Sequence, residues 1–439
     1  MRPLVLLFLL LASSADAATY VVAKTGRDSN PGTAARPFLT ITRAIRQLRP
    51  GDSLLVRTGV YREAVKLWDL KGTRAAPIRV TAHPGDQPVI DGTGTNAKPG
   101  LLAIGSSEWI HVEGFEIRNS PNDGISLREV RQIVIRGNHV HHSRLGGIRA
   151  WNGNSDLRIV GNNVHYNVLS NASGKTKQWS QAIGIEDSDR VLIQDNRVYK
   201  NYGEGIDYIR SNRGQIVRNR VSDNFSINVY LDNARYTTID SNLIWMTDDK
   251  AFWRGGEPST AIGLANERYR KQNPLSDLTI INNIAIRGRA GVYYADSERR
   301  GGLHDTRIAH NTFYGFTWAT FVLGSESRSR SAGHTSLVLE NNIAYQRRGT
   351  AYTDRPSTGI TFRNNAWFGG DARTRFSGPG DVNADPRFAK AGGSNAEDYR
   401  VAPNSPCRDK GRTSTTIKRD HFGTTRPRGP ASDIGAHEH

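Results

Sequence analysis

Glu186, Asp207 and Asp232 stand in three short phrases of similar build, IGIEDS, EGIDYI and INVYLD. Carboxylates gathered by a fold repel one another unless a cation, a shared proton or a basic group sits with them. Such a group can hold calcium or do acid–base work on a bound substrate. Arg149 and Tyr230 occupy the matching places in GGIRAW and INVYLD. Two longer stretches, NVLSNASGKTKQWSQ and WMTDDKAFWRGGEPST, contribute Lys175, Lys177, Trp179, Lys250, Trp253 and Arg254. These offer rings that stack on sugars, cations that bind carboxylate or sulfate groups, and lysines able to act as a base.

What could bring residues so far apart together is a repeat. The phrase I-x-x-N-x-hydrophobic recurs with Asn138, Asn162, Asn196, Asn219, Asn242, Asn283, Asn311, Asn342 and Asn365, and its shortest intervals are 23 and 24 residues. Short alternating apolar phrases between Gly and Asn turns indicate strands, and a unit this short without a helical pattern is one coil of a parallel β-solenoid. The asparagines would stack at a turn, each amide bonding to backbone and to the next amide, a structural role.

Each coil carries a second strand. Aligning these strands on Ile125, Ile148, Ile185, Ile206, Val229, Leu264, Val292 and Phe321 as inward residues sends Ser126, Arg149, Glu186, Asp207, Tyr230, Ala265, Tyr293 and Val322 outward. On this alignment Glu186 and Asp207 are stacked carboxylates about 4.8 Å apart. The column two residues on adds Trp151, Asp232 and Glu267, and Glu204 is a third acid nearby. The two long stretches leave the same corner of the coil and would wall a cleft. Elsewhere, HVHHS holds His139, His141 and His142, with His165 one coil on: residue types that bind metals, though histidines near turns are also commonly just solvated.

The framing elements follow. Residues 1–17 read as a cleaved secretory signal, with Arg2, an apolar run and the pattern Ala15-Asp16-Ala17, so a secreted or periplasmic location is expected. No later segment approaches the length of a membrane span. Residues 18–100 form a cap and the first coils, in which Ile41, Ala44, Ile45 and Leu48 share one face of a capping helix with Thr40 at its start. Residues 101–370 hold the repeat, and 371–439 an irregular segment folded back over the last coils. Cys407 is the single cysteine, which excludes an intrachain disulfide. A formal charge of +17 favours a polyanionic partner, and for an exported chain that is acidic polysaccharide rather than nucleic acid or membrane. A monomer is expected. G-x-S-x-G, H-E-x-x-H, P-loop and dinucleotide fingerprints do not occur in a convincing context.

The opening TYVVAKTGRDSNPGTAARPFLTITRAIRQLRPGDSLLVRTGVYRE resembles the N-terminal cap of secreted bacterial right-handed parallel β-helix proteins, notably pectate lyase family nine and, more loosely, the alginate lyase and chondroitinase B group. NADPRF and SDIGAHEH resemble the closing segment of many such proteins. The resemblance implies an all-β right-handed parallel β-helix and a polysaccharide lyase acting by Ca2+-assisted β-elimination on a uronate polymer. Glu186, Asp207 and Asp232 would then hold calcium, Arg149 the uronate, and Lys250 or Lys177 would be the base, with Tyr230, Trp179, Trp253, Arg254, Trp151 and Tyr293 contacting substrate. The alternatives are a glycoside hydrolase using Glu186 and Asp207 as a carboxylate pair and a noncatalytic polysaccharide-binding surface protein.

Overall fold

A computed structural model describes residues 17–174, 179–268, 274–295, 301–325, 331–353, 355–370 and 377–439. The expected signal segment, apart from Ala17, and Lys175 and Lys177 lie outside the described residues. The chain winds into a right-handed parallel β-helix with three long parallel sheets of 13, 12 and 11 strands. Each full coil visits them in one order: Asp123–Arg128 lies in the 11-stranded sheet, Arg131–Arg136 in the 13-stranded sheet and His139–His141 in the 12-stranded sheet. Inward positions are apolar because the lumen is closed to water. Ile125, Ile148, Ile183, Ile206, Val229, Ile262, Val292 and Phe321 pair in succession, each with no exposed surface.

The turn from the 13- to the 12-stranded sheet is held by the asparagine column. Asn219 donates its Nδ2 to Asn242 Oδ1 (3.0 Å) and to the Ile193 carbonyl (2.9 Å), while its Oδ1 accepts from Asn196 Nδ2 (2.9 Å) and the Asn196 backbone N–H (3.0 Å). The same pattern runs from Asn138 to Asn365. Asp195, Arg218 and Ser241, each immediately before a ladder asparagine, adopt left-handed φ of 55°, 53° and 57°, which closes the turn and aims the next amide inward. A second ladder, Asn167–Asn201–Asn224–Asn228, runs along the corner from which the long loops leave.

At the N-terminal end the helix Ile41–Ile45, capped by Thr40 accepting from the Arg43 N–H, buries Ile41, Ala44 and Ile45 over the first coil, with Leu48 buried just beyond. Residues 377–439 fold back along the last coils: Tyr399 packs on Tyr314, and Val401, Cys407 and Ile434 on Ile343. Arg426 and Glu438 form a buried ion pair there at 2.8 Å. No helix among the described residues is long and apolar enough to cross a membrane.

Candidate active site

Register in the 11-stranded sheet decides which acids meet, and it departs from the alignment expected above at two coils. Ile148 pairs with Ile183 rather than Ile185, and Val229 leads to Ile262 rather than Leu264. The outward column is therefore Ser126, Arg149, Gly184, Asp207, Tyr230, Gly263, Tyr293 and Val322. Glu186 lies in the next column, paired with Ile209, which in turn pairs with Asp232. The expected Glu186–Asp207 stack does not form. The reason is the period of two: in AIGIE both isoleucines face inward, so a slip of two residues keeps every apolar side chain in the core.

Glu186 has its own partners. Its carboxylate is bound by Arg210 and lies 4.0 Å from Arg149, which also approaches Asp123 at 3.8 Å and packs over Trp151 with its guanidinium 5.5 Å from the ring centroid. Glu186 thus leaves both the expected metal set and the expected carboxylate pair, and Arg149 and Trp151 stand with it.

Asp207 meets a different acid. It is 1% exposed, shares a hydrogen bond with Glu204, and its Oδ1 has no partner among the described residues. Burial pushes its pKa well above the usual carboxylate range, and the adjacent Glu204, then Asp232 and Glu267, push the same way. Glu204 is raised as well, first by burial, with its bonds to Asp207 and Gln181 and the field of Arg254 opposing. The pair therefore retains a proton between them well above the pH at which a solvated carboxyl loses it.

Two glycines make room around this pair. A Cβ on Gly184 would fall 2.8 Å from Gln181 Oε1, so the absent side chain lets Gln181 lie across the coil, where its Nε2 reaches Glu204 at 3.4 Å and its Oε1 is buried without a donor among the described residues. A Cβ on Gly263 would fall 2.9 Å from the Tyr230 ring. Tyr230 is consequently laid down over the column, 8% exposed, and its hydroxyl donates to Glu267 at 2.6 Å. Burial, then the charges of Glu267 and Asp232, raise the Tyr230 pKa well above its ordinary value. Asp232, 1% exposed, accepts from the Glu267 N–H at 3.4 Å.

The two long loops do converge over this edge. Trp179 from the first stacks on Phe225 at 5.9 Å, and Arg254 from the second lies 4.4 Å from the Trp179 ring and donates to Ser226 Oγ at 3.3 Å. Next to Arg254 opens a cavity of about 510 Å³ lined by Glu257, Thr260, Arg289 and Tyr293. Tyr293 thus joins Arg254 as expected. Lys250 and Trp253 do not reach the acids: Lys250 is exposed on a short 3-10 turn, 5.9 Å from the Trp253 ring, whose Nε1 donates to the Thr247 carbonyl at 3.3 Å.

Gln181, Phe225 and Arg289 were not singled out from sequence, and one signal could have found Gln181. Ile125, Ile206 and Val229 each precede Asn138, Asn219 and Asn242 by 13 residues, and it is Ile183, not Ile185, that precedes Asn196 by 13. Counting back from the ladder instead of forward across the loop sets the register and places Gln181 against Glu204.

With this geometry in place the sequence relationships are informative. Residues 20–294 match the family described as Pel9A-like, right-handed β-helix region. The chain belongs to that family. Pectate lyase PEL9 of Emericella nidulans is 24% identical over 74% of this chain and 82% of its own length. Among solved structures, pectate lyase Pel9A superposes with a TM-score of 0.58 at 16% identity over 97% of both chains. XylC, solved with xylose, superposes at 0.65 and 13% identity over 95% of this chain and 98% of its own. At these identities the structural neighbours speak to the fold alone.

Proposed function

We propose that the protein is a polysaccharide lyase acting on a uronate-containing polymer outside the cytoplasm, and that the Gln181–Glu204–Asp207–Tyr230 face is its active site. The observation that carries this is the Asp207 carboxyl, buried with an oxygen that has no partner among the described residues and hydrogen-bonded to Glu204, which feels the charge of Arg254 beside Trp179. Pectate lyase relatives and a formal charge of +17 favour an acidic sugar over a neutral one.

A calcium ion suits the donors present. Glu204, Asp207 and the Gln181 Oε1 are all hard oxygen atoms, two of them unpartnered, with Asp232 in the next column. Bound there, calcium would neutralise the uronate carboxylate and so acidify the neighbouring carbon. The chain's own groups then divide the work. Arg254 and Arg289 bind sugar carboxylates, and Trp179 and Tyr293 offer rings to sugar faces. Tyr230, kept protonated by its surroundings, is suited to give a proton to the leaving oxygen rather than to take one. Of the two lysines expected as the base, Lys250 lies away from the acids, which leaves Lys177 as the candidate proton acceptor.

One feature favours glycoside hydrolysis as the second reading: a carboxyl that keeps its proton beside an ionised partner is what a glycosidic general acid requires. The pair is now Glu204 and Asp207, in hydrogen-bond contact and so closer than the about 5–5.5 Å of a retaining pair.

The test is to incubate the full chain with polygalacturonate, alginate, chondroitin sulfate and a neutral xylan, with calcium and with chelator. Unsaturated-uronate absorbance that disappears with chelator and in Asp207→Asn is the expected result. New reducing ends without that absorbance would establish the hydrolase, and binding without either product across the panel a noncatalytic carbohydrate-binding role.

A further inference from the structure

A second group of ligating side chains lies on the 12-stranded sheet, away from the acid face. Register there places Glu116 and His139 in one outward column and Arg118, His141, His165 and Tyr199 in the next, either side of the buried Ile117–Val140–Val164 row. His139 Nε2 is 2.5 Å from His165 Nε2, and His141 Nε2 is 3.4 Å from Glu116 Oε1. One ligand atom each from Glu116, His139 and His141 lies within 4.8 Å of the others.

We propose that Glu116, His139, His141 and His165 bind a divalent transition-metal ion of the zinc or copper class, clasping three successive coils. A four-coordinate zinc with ligands at about 2.0–2.1 Å holds neighbouring ligand atoms roughly 3.3 Å apart. The 2.5 and 3.4 Å contacts lie on either side of that separation; Glu116, His139 and His141 form the core of the set, and His165 joins it through its contact with His139. Three imidazoles and one carboxylate select such an ion over calcium or magnesium, which prefer all-oxygen sites.

A simple ladder of stacked rings accounts for only part of the arrangement. It explains His141, His165 and Tyr199, whose rings stack at 5.2 and 4.8 Å with interplanar angles of 5° and 18°. It does not explain why His139 and Glu116, from the other column, turn a nitrogen and an oxygen onto that stack. Among the described residues His165 Nδ1 is moreover buried without a hydrogen-bond partner. Beyond the ligands, His142 Nδ1 meets His141 Nδ1 at 2.7 Å, the kind of outer contact that orients a ligating ring. Two cations lie nearby: Arg118, bound to Asp91 at 2.9 Å and Glu116 at 2.8 Å, and Arg197, 5.7 Å from the Tyr199 ring centroid.

The experiment uses the full chain without a histidine tag, stripped of metal and titrated with Co2+ as an optical probe. The expected result is saturation at one equivalent, visible absorption of a four-coordinate cobalt site, displacement by Zn2+ but not Ca2+, and a rise in thermal midpoint with Zn2+. His139→Ala/His141→Ala should weaken binding by roughly 100-fold or more, and Asp207→Asn should leave it unchanged. Glu116→Gln, which preserves side-chain size, serves if the double variant does not fold, and should weaken binding by about tenfold. Absence of saturable Co2+ binding by the native chain, or unaltered affinity in a folded variant, overturns the proposal.

Discussion

Along one turn Asn162, Asn196, Asn219 and Asn242 stack coil upon coil, and along the 11-stranded sheet Gln181 and Glu204, then Asp207 and Tyr230, stack at the same rise. Both columns are polar and buried. An amide is donor and acceptor at once, so each asparagine satisfies the next and the column closes on itself. A carboxylate only accepts, so Glu204 and Asp207, three residues apart on one strand, cannot satisfy one another without a proton, and among the described residues Asp207 Oδ1 and Gln181 Oε1 are left over. The scaffold is common to both; the hydrogen-bonding capacity of one side chain per coil makes one column a stabilising element and the other a place that recruits a proton or a cation.

Four substitutions test that contrast. The largest effect is expected for Asp207→Asn, which keeps shape and removes charge: turnover on the responsive polysaccharide should fall by roughly 10³-fold or more. The fold should gain stability, because a carboxyl whose folded pKa is raised contributes stability at low pH that is lost as pH rises through that pKa. A thermal midpoint that falls at neutral pH would show that the Asp207 charge is used structurally. Asn219→Ala breaks the satisfied column and strands the Ile193 carbonyl and the Asn196 N–H; denaturant unfolding should show a loss of about 4 kcal/mol, with activity near normal in the folded fraction.

Asp123 sharpens the contrast from the same face. Burial holds it at about 6 against 3.8 for an ordinary aspartate, with Arg149 and the Gly146 N–H opposing. Its stabilising contribution is present below 3.8 and lost as pH rises through about 6, so Asp123→Asn should raise stability at neutral pH by up to about 3 kcal/mol and by nothing in strong acid. Glu186→Gln should have the smallest effect, activity within about threefold and stability within about 1 kcal/mol, since its partners are the partly exposed Arg210 and Arg149. A complete loss of turnover there would restore Glu186 to the catalytic group.

The coil, the asparagine ladder and the capping helix were legible because each is written as a period or a pattern: 23 residues, alternation, and a helical face at Ile41, Ala44 and Ile45. Asp207, Asp232 and Tyr230 were legible as outward residues for the same reason. The partner of Asp207 was not. Alternation fixes which face a residue occupies but is unchanged by a slip of two, and only the pairing of Ile148 with Ile183 moves Glu186 to the next column and off Asp207, leaving Glu204, three residues before Asp207 on the same strand, as its acidic neighbour. Loop positions were beyond reach as well, because a loop's path depends on what it packs against. Trp179 settles on Phe225 and under Arg254, whereas Lys250, equally prominent in the sequence, ends exposed over Trp253.

The sequence by itself determined the winding of the chain and the inside and outside of every strand, since these follow from local alternation and from side chains that either suit a dry lumen or do not. Tertiary structure alone decided that Glu186 parts from Asp207 and which histidines share a nitrogen contact. Those are relations between coils, set by strand register and turn length, and they carry no mark in any single stretch of the chain.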